Sequence, residues 1–194
     1  MVKNASLIAF KDDSYLVQAR ETVVTGQKPG RYSFSFPGAF SFFGGELNDG
    51  EGAKEGFERE LKEELPDTRL EIISHRVYNW SKDTEKVIAR ANKVLGGNVH
   101  SFLGFDLYSK VPSSALGNRD RTGSPMTYID WIAQTTEDNF YSANITSEGR
   151  ELKEGSRKLW IPATVLKSLV MVPTDRLAAL DDLADRIESG QLRI

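Results

Sequence analysis

Between Glu46 and Glu64 the chain carries seven glutamates and one aspartate against three basic residues. Like charges four residues apart weaken a helix. So acidic a stretch is either a fully solvated surface or a set of carboxylates held for a positive partner. Ala53, Phe57, Leu61 and Leu65 recur every four residues and make one apolar stripe. The pattern predicts a helix from about Glu51 to Leu65, stopped by Pro66. On that helix Glu60, Glu63 and Glu64 share an arc beside the stripe. The expected place for all three is the rim of the core, near a sheet, where crowded carboxylates resist desolvation and one another. A hard divalent cation such as Mg²⁺ removes both costs, since it prefers oxygen ligands and is held by a few carboxylates plus substrate phosphates. Arg59 stands beside them, able to pair with Glu63 one turn on or to fold back onto Glu51. Gly44 and Gly45 permit close backbone approach, and Gly50 a turn before the helix. Asp49 and Glu51 suit the helix N-terminus, while Glu46, Asp49, Glu55 and Glu58 are expected to be solvated.

Other elements must position this helix. Ala5–Phe10 and Ser14–Ala19 flank Lys-Asp-Asp and read as a hairpin. Tyr32–Phe36 and Phe40–Phe43 alternate or cluster aromatics with small residues, as strands do. Leu70–Tyr78, Phe102–Tyr108 and Tyr128–Ala133 are further expected strands. Helices are expected at Thr84–Leu95, Thr164–Val170 and Thr174–Ser189, the last one polar and amphipathic. Strands mixed with helices in no strict alternation point to an α+β or mixed α/β sandwich. The organisation is one domain over 1–194, with an insertion or loop region around 84–125 and C-terminal helices from about 164 to 189.

The 194 residues are 39% hydrophobic and 27% charged, with a net charge of −3. That balance argues against general nucleic-acid binding or a polybasic membrane anchor. No apolar run approaches the roughly 18 residues of a membrane helix. The start, MVKNASLIAFKDDSYL, has no long apolar core of a secretory signal. With no cysteine there is no disulfide, thiolate metal site or cysteine nucleophile. A cytoplasmic protein is the expectation.

Gly45, five residues, Glu51, seven residues, then Arg59-Glu60-Leu61-Lys62-Glu63-Glu64 resembles the Nudix box, Gly-x5-Glu-x7-Arg-Glu-U-x-Glu-Glu-x-Gly-U, with U aliphatic. Seven specified positions match in register, which average residue frequencies would give in about one chain in 10⁵ to 10⁶. The box's closing x-Gly-U reads Leu65-Pro66-Asp67 here, and Asn48 stands where members often carry glutamate. Phe40-Ser-Phe-Phe-Gly-Gly is similar to the aromatic strand leading into the family's Gly-Gly. Lys153-Glu154-Gly155, followed by Trp160, resembles a segment whose loop glutamate reaches the metals in some members. Glu148, Glu151, Glu137 and Asp138 are rivals for that part.

The resemblance implies a Nudix-type α/β/α sandwich with a mixed central sheet. It also implies a hydrolase cleaving the pyrophosphate bond of a nucleoside diphosphate linked to another group X. Glu60, Glu64 and the Gly45 carbonyl would ligate Mg²⁺ or Mn²⁺, with Glu63 as a further or water-mediated ligand. Glu63 or Glu154 would serve as general base, with Glu51 and Arg59 orienting. Phe36, Phe40, Tyr78 and Trp80 are candidates for stacking on a base, with the core as the competing place for each. The group X has no signature, and His75 and His100 lack metal-ligand spacing. A regulator of the same fold that binds a nucleotide or nucleotide sugar without cleaving it is the alternative function. An isopentenyl diphosphate isomerase-like activity would need a cysteine, and an EF-hand a different loop. The partner is a nucleotide-like small molecule, and the 84–125 region could supply a homodimer interface.

Overall fold

The computed structural model describes residues 3–20, 39–97, 110–111, 126–127, 130, 137–149 and 157–194. Alternation along β1 (Lys3–Lys11) sends Ala5, Leu7 and Ala9 to one face and Asn4, Ser6 and Ile8 to the other. A tight turn, with Asp12 at φ +52°, returns the chain as β2 (Ser14–Ala19), antiparallel with Ala9 opposite Leu16. The aromatic run then makes two short strands where one was expected, β3 (Phe40–Ser41) on β2 and β4 (Phe43–Glu46) on β1. The break falls at Phe42, whose N–H donates to Asp175 Oδ2 at 2.8 Å. Because β1 pairs with β4 over Asn4–Leu7 and with β2 over Ala9–Lys11, the sheet forks between them.

The acidic helix is α1 (Ala53–Glu64), beginning two residues later than the pattern predicts. Its first turn is closed by Glu55, whose carboxylate accepts the Gly52 N–H at 3.0 Å. Strand β5 (Arg69–Tyr78) leads directly into α2 (Trp80–Leu95). That helix starts four residues before Thr84, because Asp83 accepts the Asn79 N–H at 2.8 Å and Trp80 fills the core. Residues 84–95, expected within an insertion, are thus part of the domain's packing. Two short strands, β6 (Lys110–Val111) and β7 (Met126–Thr127), pair only with each other among the described residues. Strand β8 (Glu137–Ser147) runs parallel to β1 and antiparallel to β5, and β9 (Lys158–Pro162) adds to β2. A single turn, α3 (Ala163–Leu166), and the long α4 (Pro173–Glu188) follow. The expected strands around 32–36 and 102–108 lie outside the described residues, and of the one expected at 128–133 only Asp130 is described, bonded back to Thr127 and not in a strand.

The outcome is a seven-stranded mixed sheet between helical layers. On one face Phe57 of α1 and Leu65 just past its end pack against Ala5, Leu7, Phe43 and Tyr141. On the other, Trp80, Val87 and Ile88 of α2 and Leu177 and Leu183 of α4 cover Ile8, Tyr15, Val17 and Phe140. The expected α/β/α sandwich is therefore present.

Helix α4 departs from its expected character. It reads as polar and amphipathic, yet residues 173–184 are buried all round. Buried charge is tolerable only when partnered. Asp181 accepts from Tyr78 Oη and from Arg76 and Arg90, each at 2.8 Å. Asp182 accepts from Tyr15 Oη at 2.9 Å and from Ser142 Oγ at 2.5 Å, and burial lifts its carboxyl above the usual range. The partners come from β2, β5, α2 and β8, so sequence periodicity could not reveal them.

Candidate active site

The carboxylates of α1 do not stay together. Arg59 folds back onto Glu51 in a two-pronged pair, Nε to Oε1 at 2.9 Å and Nη2 to Oε2 at 3.0 Å. Its Nη1 donates to Glu60 Oε1 at 2.5 Å, and Glu63 lies 3.9 Å away. The guanidinium beside Glu51 holds that carboxyl low, at about 2, with help from the Asn48 N–H. The same two glutamates raise Arg59 further above its usual range. Arg59 thus joins the loop before α1 to the helix, and its Nη2 also reaches the Glu46 carbonyl at 3.2 Å. The planar guanidinium grips Glu51 with two N–H groups while a third reaches Glu60, a geometry a lysine's single ammonium does not reproduce. Arg59→Lys is expected to lower turnover roughly tenfold through misplaced Glu60, with the fold kept, as steady-state kinetics and circular dichroism would show.

Glu60 and Glu64 converge on the Gly44–Gly45 step. A Cβ on Gly45 would meet Glu60 Oε1 at 2.4 Å, so only glycine lets this carboxylate lie against the backbone. Glu64 Oε2 accepts the Gly44 N–H at 2.8 Å, and Gln18 Nε2 stands 3.5 Å from its other oxygen. Burial raises the Glu64 carboxyl above its ordinary value, and the charge of Glu60 adds to the rise. Gly44 sits at φ +139°, a conformation side chains rarely adopt, and a Cβ there would meet Ala5 O at 2.2 Å. The glycine pair therefore packs β4 tightly on β1 and exposes its backbone to the two carboxylates. Lys158 donates to the Glu64 carbonyl, anchoring the end of α1 to β9.

Glu63 does not join this pair. Its side chain is 62% exposed, on the outer side of the helix rather than the expected rim of the core. Among the described residues no group of three or more acidic or imidazole side chains is drawn up around one point. The donor chemistry still fits a hard cation. Two crowded carboxylates, one desolvated, meet a glycine step where backbone oxygen can approach, and all the donors are oxygen.

The aromatic candidates are placed otherwise. Trp80 is fully buried, and Tyr78 stacks on it at 4.5 Å while buried to 5%. The indole donates to Asp138 at 2.6 Å. Both take the core place that competed with stacking on a base, although Tyr78 also lines a second cleft with Arg76 and Val87. Phe40 is half-buried, its backbone bonded to Val170 and Val172 at 2.9 Å. Phe36 and Glu154 lie outside the described residues, as do Glu151 and His100. His75 stacks on Tyr141 at 4.2 Å and pairs with Asn139 at 3.1 Å, as a strand residue would. Glu137 and Glu148 pair with Lys3 and Lys11. Glu46, Asp49, Glu55 and Glu58 are exposed as expected.

A cleft of about 280 Å³ opens beside the glycine step, in the fork between β2 and β4. Gln18, Arg20, Ser41, Asp138 and Asp175 line it together with Gly44 and Gly45. Three of these, Gln18, Arg20 and Asp175, carry no motif. Burial pushes the Asp175 carboxyl up to about 7, the neighbouring charges of Asp138 and Glu64 adding to the effect.

No family model and no curated protein matches the sequence. Solved structures do. A mutT/nudix family protein from Listeria innocua aligns over 99% of this chain and 98% of its own, with a TM-score of 0.52 and 16% identity. The fold is that of the Nudix proteins. A C. elegans Ap4A hydrolase binary complex aligns over 98% of this chain and 99% of its own, with a TM-score of 0.49 and 13% identity. In the Nudix fold of this chain, Glu51, Arg59 and Glu60 form one hydrogen-bond network across the β4–α1 loop, with Glu60 against Gly45 and Glu64 bonded to the Gly44 N–H. Among the described residues no helix is long and apolar enough to cross a membrane.

Proposed function

We propose that this chain is a divalent-cation-dependent hydrolase that cleaves the pyrophosphate bond of a nucleoside diphosphate linked to another group. One observation carries the reading. Glu60 and Glu64 are brought against the Gly44–Gly45 backbone, with Arg59 tying Glu60 to Glu51, on a chain whose box residues match in register.

Glu60, Glu64 and the Gly45 carbonyl would hold Mg²⁺ or Mn²⁺. When bound, such a cation would supply neutralisation of phosphate charge and a lowered pKa for an attacking water. Arg59 keeps Glu60 aimed by pairing with both it and Glu51, and Gln18 and the Gly44 N–H orient Glu64. Glu63, or Glu154 outside the described residues, would take the proton from that water. The partner is a nucleotide-like small molecule.

The test is a hydrolysis screen with Mg²⁺ and Mn²⁺ over nucleoside triphosphates, oxidised nucleotides, ADP-ribose, NADH, dinucleoside polyphosphates and nucleotide sugars. Cation-dependent release of phosphate or pyrophosphate products is expected for at least one class. Cleavage of none would favour a regulator that binds without cleaving, a reading to which the Arg59–Glu60 pair lends weight by occupying one carboxylate oxygen.

A further inference from the structure

The strand that carries the glycine pair is broken just before it, and side chains hold the break. Phe42 separates β3 from β4 and is 3% exposed, so both of its backbone groups need partners away from water. Its N–H donates to Asp175 Oδ2 at 2.8 Å. Its carbonyl accepts from Gln18 Nε2 at 3.1 Å. The same amide nitrogen stands 3.5 Å from Glu64 Oε1, and the other oxygen of Glu64 accepts the Gly44 N–H at 2.8 Å. Asp175, Phe42, Gln18, Glu64 and Gly44 thus form one chain of contacts from the start of α4 to a carboxylate of the pair.

Both ends of that chain are built on docked elements. Asp175 lies in the first turn of α4. The segment entering that helix runs alongside β3: the Phe40 N–H donates to the Val170 carbonyl and the Val172 N–H to the Phe40 carbonyl, each at 2.9 Å. Gln18 lies in β2 with Ser41 opposite it on one side and Lys158 on the other. A carboxyl as buried as that of Asp175 costs desolvation, and what it returns is an acceptor for the Phe42 N–H. We infer that Asp175 is a positioning residue for the carboxylate pair. By gripping the Phe42 N–H it sets where the chain passes from β3 to β4, and through Gln18 and the Gly44 N–H that placement fixes Glu64. The inference rests on the hydrolase reading only for what Glu64 then holds. The property it requires is an acceptor at Oδ2 rather than a charge, so asparagine can replace the aspartate and alanine cannot.

Two measurements on the whole chain test it: Mn²⁺ affinity by electron paramagnetic resonance, and hydrogen exchange of the Gly44 amide by NMR in metal-free protein. The wild-type protein is expected to bind Mn²⁺ and to protect the Gly44 N–H. Asp175→Ala and Gln18→Ala should each weaken Mn²⁺ binding and speed that exchange by about tenfold, the worth of one hydrogen bond. Asp175→Asn should stay within about threefold of wild type in both. The double alanine variant should lose no more than the worse single one, since both cut the same path. Exchange along β1 and β8 should stay as in wild type, which a general loosening of the fold would not allow. Gln18→Ala and Asp175→Asn carry the test if Asp175→Ala does not fold. Unchanged Gly44 exchange in the alanine variants, additive losses, faster exchange throughout the sheet, or an asparagine variant as impaired as alanine overturns the inference. No Mn²⁺ binding by the wild type, with the Gly44 pattern as expected, defeats the hydrolase reading and keeps this one. Mn²⁺ binding with Gly44 exchange untouched by the variants does the reverse.

Discussion

Glu64→Gln is expected to lower turnover by roughly a hundredfold or more while the fold stays intact. The glutamine carbonyl can still accept the Gly44 N–H that Glu64 accepts at 2.8 Å, so the end of α1 keeps its tie to β4. Burial already disfavours the charged form of Glu64, and removing the charge also relieves repulsion with Glu60. Thermal stability should therefore hold or rise slightly. Activity should not survive, because the neutral amide is a poor ligand for a hard cation and leaves Glu60 alone at the glycine step. Thermal melts and Mg²⁺-dependent kinetics on one preparation separate the two effects. Full turnover in this variant would sink the assignment of Glu64 to the reaction.

The second large effect concerns stability. Asp175→Asn should remove a pH dependence that the wild-type protein carries. The folded carboxyl titrates at about 7, chiefly because it is buried, with Asp138 and Glu64 pushing in the same direction and the Phe42 N–H and Arg20 opposing. In the unfolded chain it titrates near 3.9. An acid with a raised folded pKa binds more protons folded than unfolded between those two values. Its favourable contribution is complete below about pH 4, declines across the window and is gone above about pH 7. Three units of displacement correspond to up to roughly 4 kcal/mol. The stability of the variant relative to wild type should accordingly climb by up to that amount from pH 4 to pH 7, then level off. Urea unfolding of both proteins at several pH values checks it, since other titrating groups cancel in the difference. A difference independent of pH would show that Asp175 is not desolvated in solution. A fold that keeps such a costly carboxyl at the mouth of α4 does so at a functional site more often than elsewhere.

How much of this was legible beforehand depended on range. The α1 helix, its stripe of Phe57, Leu61 and Leu65, and its stop at Pro66 follow from spacing within four residues. So do the β1–β2 hairpin and β5, each found within a residue or two of its expected bounds. Glu63 was misjudged because an arc on a helix says which residues are adjacent, not how wide the neighbouring sheet is. Its side chain stays in solvent, while Glu60 and Glu64 meet the glycine step of β4. Tyr78 and Trp80 looked free to meet a ligand only because the Asp181 and Asp138 that take their polar ends lie 103 and 58 residues away. The start of α2 was missed for want of a strong propensity signal around Ser81-Lys82-Asp83.

By itself the order of residues determined the register of the box, the helix that carries its carboxylates, and a mixed α/β architecture. The periods that define the helices and strands are written in separations of a few residues, over which backbone geometry alone sets relative position, and the box match spans 19, from Gly45 to Glu64. Tertiary structure decided the rest. Only folding showed that Arg59 chooses Glu51 over Glu63, that α4 is a buried helix with paired charges, and that Asp175 ends a strand by taking its N–H. Only the fork of β1 between β2 and β4 brings Arg20, Ser41 and Asp175 to one cleft. Contacts across 20 to 150 residues depend on how sheet and helices stack, and no local period records that.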